Sequence, residues 1–198
     1  MKRLFLVLAL CCVLGTMAAA QKTSTSQAVE TSPQAPMFSA ADLAAQVPVP
    51  KPDDVKSMDA ILRAIYDVIS GPAGDRDWSR FRSLFLPQAR FTQAAKAPDG
   101  ATVVFSWSVD EFVRDAGQAF AKEPFYEKAI VNQPDTYGNV AQVFSSYESR
   151  HSPGEKPFER GINTIQLLND GKRWWVVSIL WDSERSDNPL PARLAAKH

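Results

Sequence analysis

Cysteine is almost absent from this sequence. There are two, Cys11 and Cys12, and both fall within the first twenty residues. Once the leader described below is removed, the chain can form no disulfide and no thiolate metal site. Histidine is as scarce, with only His151 and the terminal His198. Zinc wants three or four ligands, usually with His or Cys among them, so one internal histidine beside a Pro-Gly turn argues against a metal centre. Neither metal nor cofactor is expected. No G-x-S-x-G elbow accompanies His151, so a Ser-His-Asp triad has no support and solvation at a hairpin end is the plainer role. An excess of charge of one sign is also missing. The 22 basic residues balance 22 acidic ones, and nothing favours a nucleic-acid partner.

What is present is an ordinary soluble composition, 45% hydrophobic and 22% charged, too apolar for wholesale disorder. Lys2 and Arg3 precede an apolar run from Leu4 to Leu14, shorter than the roughly 20 residues a spanning helix needs. Gly15 and Thr16 break the run, and Ala18-Ala19-Ala20 offers small residues for cleavage. Residues 1–20 therefore read as a secretory signal cut after Ala20, with a membrane anchor as the competing reading. Leu10 before Cys11 speaks against lipidation. The expected product is exported, to periplasm or extracellular space, and has no membrane span. Residues 21–53 hold five of the fourteen prolines among Ser, Thr, Gln and Ala, and read as a disordered tether. A short helix capped by Ser39 is expected over 37–45.

The folded domain is expected over 54–193, with 194–198 as a tail. Val55, Met58, Ile61, Leu62, Ile65, Val68 and Ile69 recur at helical spacing. Asp77 caps a second helix carrying Trp78, Phe81, Leu84 and Phe85. Arg90–Ala94 and Thr102–Trp107 read as strands around Pro98-Asp99-Gly100. Ser108 with Glu111 forms a capping box for a third helix, whose inner face is Val109, Phe112, Ala116, Ala119 and Phe120. Four strands follow over 125–132, 139–150, 158–168 and 172–181, separated by turns at Pro134-Asp135, Ser152-Pro153-Gly154 and Asn169-Asp170-Gly171. The class is α+β: a curved antiparallel sheet wrapped around about three helices, forming a cone.

This order resembles the nuclear-transport-factor-2-like superfamily, also called SnoaL-like or cystatin-like. Asp77-Trp78-Ser79-Arg80-Phe81-Arg82-Ser83-Leu84-Phe85, Ser146-Tyr147-Glu148-Ser149-Arg150, and Gly161-Ile162-Asn163 leading to Arg173-Trp174-Trp175-Val176-Val177 carry the likeness, which looks like that of exported bacterial members without assigned function. It implies a fold and not an activity. The family's ketosteroid isomerases use an aspartate base with a tyrosine and a protonated aspartic acid; Tyr66-Asp67 offers two of these types. Its dehydratases use a histidine pair, which this chain lacks. Its epoxide hydrolases use an Asp-Arg-Asp relay from separate elements, whereas Asp75-Arg76-Asp77 is one loop.

A cone of this kind implies an apolar pocket, against the alternative that its aromatics simply fill the core. The pocket candidates are Tyr66, Trp107, Tyr126, Tyr147, Asn163 and Trp181. Glu148 and Arg150 share a strand face. They read either as a clamp for a polar ligand or, preferably, as part of an ion pair with Glu159 or Arg160 across the sheet. The leading expectation is an exported module binding a small apolar or amphipathic molecule, or a protein partner. The alternative is a cofactor-independent isomerase, dehydratase or hydrolase using a pocket carboxylate such as Asp67 or Asp182, betrayed by a raised pKa. The tether could also join the domain to a larger envelope assembly. In the last strand Trp174, Val176, Ser178 and Leu180 alternate with Trp175, Val177, Ile179 and Trp181, so both faces are apolar. A twofold homodimer through the outer face, or the tether folded back, is the expected cover.

Overall fold

The computed structural model describes residues 37–195. The signal read over 1–20, the tether residues 21–36 and the last three residues lie outside the described part. Among the described residues no helix is long and apolar enough to cross a membrane. Helices α1 (Ala40–Ala44), α2 (Pro52–Val55), α3 (Met58–Ile69) and α4 (Trp78–Ser83) precede strands β1 (Phe85–Lys96) and β2 (Thr102–Ser108). Then come α5 (Val109–Phe120), β3 (Tyr126–Tyr137), β4 (Val140–Arg150), β5 (Glu159–Asn169) and β6 (Trp174–Ser183), and a final 3-10 turn over Ala192–Leu194.

Local chemistry sets the helix starts. Ser39 and Ser108 each complete a capping box, with Asp42 and Glu111 reaching back to the cap amide. Ser57 accepts from the Ala60 amide and starts α3 afresh, so the run from Val55 to Ile69 is two helices. The short helix expected over 37–45 with Ser39 as its cap is α1, and the rest of 37–53, expected as tether, carries the start of α2. Asp54 of α2 is buried against Arg80, whose Nε and Nη2 reach it at 2.7 and 2.9 Å while Nη1 reaches Asp67 of α3 at 2.6 Å. One guanidinium thus ties α2 and α3 to α4. Asp77 caps α4 by accepting from Arg80 N. Arg76 donates to the carbonyls of Ile69, Gly71, Pro72 and Gly74, so the Asp75-Arg76-Asp77 run stitches a loop. On α5, Val113 is buried and Ala119, expected inside, is exposed.

The six strands form one sheet in the order β2-β1-β6-β5-β4-β3. It is mixed and not wholly antiparallel: β1 lies parallel to β6, because α5 and the remaining strands intervene between them in the chain. Pro134-Asp135 is no turn. Both residues lie within β3, opposite Val143 and Gln142, and the chain reverses at Gly138 with φ of 54°. A proline is tolerated there because β3 is an edge strand.

The concave face is set by register. Val143, Ile165, Leu167, Val176 and Ile179 are buried against Ile61, Leu62 and Ile65 of α3 and against Phe81, Phe85 and Phe91, whose rings meet at 4.7–5.8 Å. Leu167 pairs with Val176 but Gln166 pairs with Ser178, so β6 bulges at Val177. The bulge breaks the expected alternation. Trp174, Val176, Ile179 and Trp181 all pack on the core, and the outer side holds Trp175, Ser178 and Leu180. Trp175 is fully buried, with its indole N–H donating to Asp170 at 2.8 Å and the Arg173 guanidinium 3.7 Å above its ring.

Part of the outer face is covered by the C-terminal segment, neither of the two covers expected. Leu194, placed in the tail from sequence, is fully buried. Its carbonyl accepts from Ser146 of β4 at 2.7 Å, and Arg193 donates to Gln133 of β3 at 3.1 Å. Leu180 and Phe144 remain exposed on that face, at 46% and 38%, as does Val140 of β4 at 50%.

Candidate functional site

Toward the α5 side of the concave face, three cross-strand rungs change from apolar to polar. In the first, Asn132, Ser145, Asn163 and Trp181 stand opposite one another on β3, β4, β5 and β6. In the second, Ala129, Tyr147, Gly161 and Ser183 do so. In the third, Ser149 of β4 lies between Glu127 and Glu159. All these positions keep the parity that places Val143 and Ile165 in the core, so their side chains turn inward.

A directed chain of hydrogen bonds links the first rung to α3. Asn163 Nδ2 donates to Tyr66 Oη at 3.2 Å, and Ser145 Oγ donates to Asn132 Oδ1 at 2.6 Å. With the Ser145 proton so committed, the 2.5 Å contact between Tyr66 and Ser145 has Tyr66 as donor. Burial, and the nearby negative charge of Glu127, hold the Tyr66 phenol neutral far above its ordinary range.

The second rung depends on Gly161. A β-carbon there would sit 2.5 Å from the Asp182 carbonyl and 2.6 Å from the Tyr147 hydroxyl. The missing side chain lets the Tyr147 ring lie across β5 and donate to Glu159 Oε1 at 3.1 Å. Ser183 Oγ donates to the same oxygen.

In the third rung, Ser149 donates to Glu127 Oε2 at 2.9 Å. Burial, aided by the charge of Glu159, raises the Glu127 carboxyl from 4.5 to about 7, against the opposing pull of Ser149 and the Asn163 amide. The residue keeps some exposure only through the hollows it lines. Tyr147 is raised well above its ordinary range by burial and by Glu159.

These groups border a cavity of about 220 Å³ between the sheet and α3 and α5, walled by Phe91, Phe112, Phe120, Phe125, Ile179 and Trp181. Of the six sequence candidates, Tyr147, Asn163 and Trp181 line it. Tyr66 reaches its wall through Asn163. Trp107 stacks on Trp181 at 5.8 Å but points its indole N–H to Asp115. Tyr126 and Tyr66 line a groove of about 800 Å³ between α3 and β3, which shares Glu127 with the cavity. Neither carboxylate suggested from sequence is in the cavity: Asp67 is exposed and bonded to Arg80, and Asp182 is held by Arg185. The inward residue of β3 is Glu127, one position past Tyr126. Its signal was the alternation Ser145, Tyr147, Ser149 on the neighbouring strand, polar where an inner face should be apolar.

Glu148 bonds Lys128 at 3.1 Å and Arg150 at 2.7 Å, so it is a structural ion pair as preferred, with different partners. Arg160 pairs with Glu184 instead, and Glu159 is turned inward. His151 is exposed at its hairpin and stacks on Phe158 at 4.4 Å. Among the described residues no group of three or more His, Cys, Asp or Glu side chains is gathered as a metal site.

No protein-family model and no curated protein matches the chain. Solved structures do. A candidate dehydratase of the nuclear-transport-factor-2-like family from Streptomyces avermitilis superposes with a TM-score of 0.50 at 16% identity, over 69% of this chain and 100% of that one. A cystatin-like-fold protein of unknown function from Nostoc punctiforme gives 0.49 at 7% identity, over 63% and 86%. An uncharacterised cystatin-like-fold protein from Caulobacter vibrioides gives 0.49 at 14%, over 67% and 90%. The chain therefore has the nuclear-transport-factor-2-like, or cystatin-like, fold. At these identities the likeness extends to the fold alone.

Proposed function

We propose that this chain is an exported binding module whose interior cavity takes one compact, mostly apolar molecule bearing a single polar group. The observation that carries this reading is the cavity of about 220 Å³, largely aromatic on its walls, with polar groups gathered on β3 to β5 and one further amide, Gln93, on β1. An apolar protein cavity of about 150 Å³ accommodates benzene, so this volume suits one ring with a short substituent. Its polar side supplies orientation and its aromatic walls supply affinity, the division of labour usual in small-molecule sites. Toluene and benzyl alcohol are suitable probes. Each should raise the thermal midpoint of the full chain in proportion to occupancy. Phe112→Trp, which fills the space, should abolish the shift. A shift unaffected by that substitution would place the binding elsewhere and defeat the reading.

One observation favours a second reading, proton-transfer catalysis without a cofactor. Glu127 titrates near 7 beside an apolar cavity, where a carboxylate can act as a general base at neutral pH. The Streptomyces protein's dehydratase designation points the same way only by fold. Exchange of a bound carbon acid's α-proton with solvent, lost in Glu127→Gln, would support it; no exchange with a bound probe would remove it.

For assembly we propose a twofold homodimer through the apolar strip that includes Leu180 and Phe144. A monomer in sedimentation velocity at micromolar concentration would remove this proposal.

A further inference from the structure

Resting on the cavity reading above, we infer that the ligand is a small organic cation, an ammonium group on a compact apolar body, seated between Glu127 and Glu159. The cavity walls contain two carboxylates and not one Lys, Arg or His. Lys128 and Arg150 are paired with Glu148, Arg80 with Asp54 and Asp67, and Arg160 with Glu184, while Arg63 is exposed on α3. Two carboxylates thus border one hollow that has no cation of the protein on its walls, which is costly unless one is neutralised by a proton or by a guest.

The hydrogen bonds indicate where a guest fits. Ser149 occupies Oε2 of Glu127, while Tyr147 and Ser183 both occupy Oε1 of Glu159. Among the described residues, neither Glu127 Oε1 nor Glu159 Oε2 receives a hydrogen bond of full geometry. An ammonium group has N–H donors for both, and its bonds to carboxylate are of the stronger, charge-assisted kind. Phe81, Phe91, Phe112, Phe120, Phe125 and Trp181 make much of the remaining wall aromatic, and a ring face attracts a cation through its quadrupole. An anion of the same shape would meet two carboxylates. A neutral molecule would leave their repulsion in place.

Proton balance follows. The titratable groups facing Glu127 are Glu159 from β5, Tyr147 from β4 and Tyr66 from α3. Both phenols stay neutral, so Glu127 is the group whose proton a guest displaces. Where Glu127 carries a proton, the arriving ammonium releases it to solvent, and affinity increases with pH until Glu127 is ionised.

The test is calorimetric titration of the full chain with benzylammonium chloride, benzyl alcohol, toluene and sodium benzoate. Benzylammonium should bind at least about tenfold tighter than benzyl alcohol, and benzoate should not bind. Glu127→Gln should narrow the preference to what Glu159 alone supplies and remove its pH dependence. In the unaltered protein, benzylammonium should tighten between about pH 6 and about pH 8 while benzyl alcohol does not, a readout that needs no variant. If the neutral probes bind and benzylammonium binds no tighter, or shows no pH dependence, the cation inference falls and the cavity reading stands. If neither neutral nor cationic probes bind, both fall.

Discussion

The two ends of the concave sheet face do opposite work with the same two strands. At one end Val143 and Ile165 are fully buried against Phe81, Phe85 and α3. At the other, two and three rungs farther along β4 and β5, Tyr147 and Glu159 border a hollow. The first end is dense, apolar and indifferent to pH. The second holds like charges, a gap and a strand glycine, all of which cost stability. Structures retain such features where function asks for them, and this contrast marks the polar end as the site.

The largest effect should come from the dense end. Phe85 is 1% exposed, lies outside the cavity lining, and its ring contacts those of Phe81 and Phe91. Phe85→Ala should cost about 3–5 kcal/mol in urea unfolding, the range for deleting a large core aromatic. A loss under about 1 kcal/mol would mean that this end is not the packed one.

At the polar end, Glu127→Gln should do the reverse. The folded-state carboxyl is raised from 4.5 to about 7, so the folded chain binds the proton more tightly than the unfolded chain. Stability is therefore intact below the unfolded value, is lost as pH rises through the window from 4.5 to about 7, and is flat above it. The loss is about 3 kcal/mol at most. Glu127→Gln should remove that slope, equalling the parent near pH 4 and exceeding it near pH 8. An unchanged slope would show that Glu127 is solvated.

Gly161→Ala should be next in size. The new β-carbon would overlap the Asp182 carbonyl, which is backbone and cannot swing aside, and the Tyr147 hydroxyl. Overpacking of this kind costs about 1–3 kcal/mol. It should also release Tyr147 from Glu159 and weaken binding of benzyl alcohol, separating it from a substitution that harms stability alone.

The dense end was the legible one. Helical spacing named the face of α3, and polar caps named the starts of α4 and α5, because those signals are local. The polar end depended on register, which is not. Tyr126 was singled out and Glu127 passed over because which of two neighbours points inward is decided by pairing with Ser149 across a hairpin. The bulge at Val177 likewise exchanged the two sides of β6 without any glycine to announce it. Leu194 gave no periodic signal at all, since a single buried side chain in a 3-10 turn has no repeat to detect. The parallel β1–β6 pairing joins segments with α5 and four strands between them, beyond the reach of turn chemistry.

The smallest effect separates the cavity wall from the cavity itself. Tyr66 lies between the two ends, buried on α3, with its hydroxyl passing a hydrogen bond from Asn163 to Ser145. Tyr66→Phe keeps the ring and removes only the oxygen. Ser145 still donates to Asn132, so it loses an incoming bond and retains its outgoing one. Asn163 loses the acceptor of one N–H. The cost should be about 1 kcal/mol, the usual net worth of a hydrogen bond plus part of one unsatisfied donor. The phenol is neutral across the accessible range, so its own titration adds no pH dependence. The Asn163 amide, freed from Tyr66, can turn further toward Glu127 and pull its carboxyl pKa down. The midpoint of the pH-dependent stability loss in Tyr66→Phe should therefore move to lower pH and the loss itself should shrink, so the substitution should cost more at the acid end of the scan than at the alkaline end. A fixed midpoint would show that Asn163 is held by the sheet and not by the tyrosine, and the hydrogen-bond chain would then end at the wall without reaching the cavity.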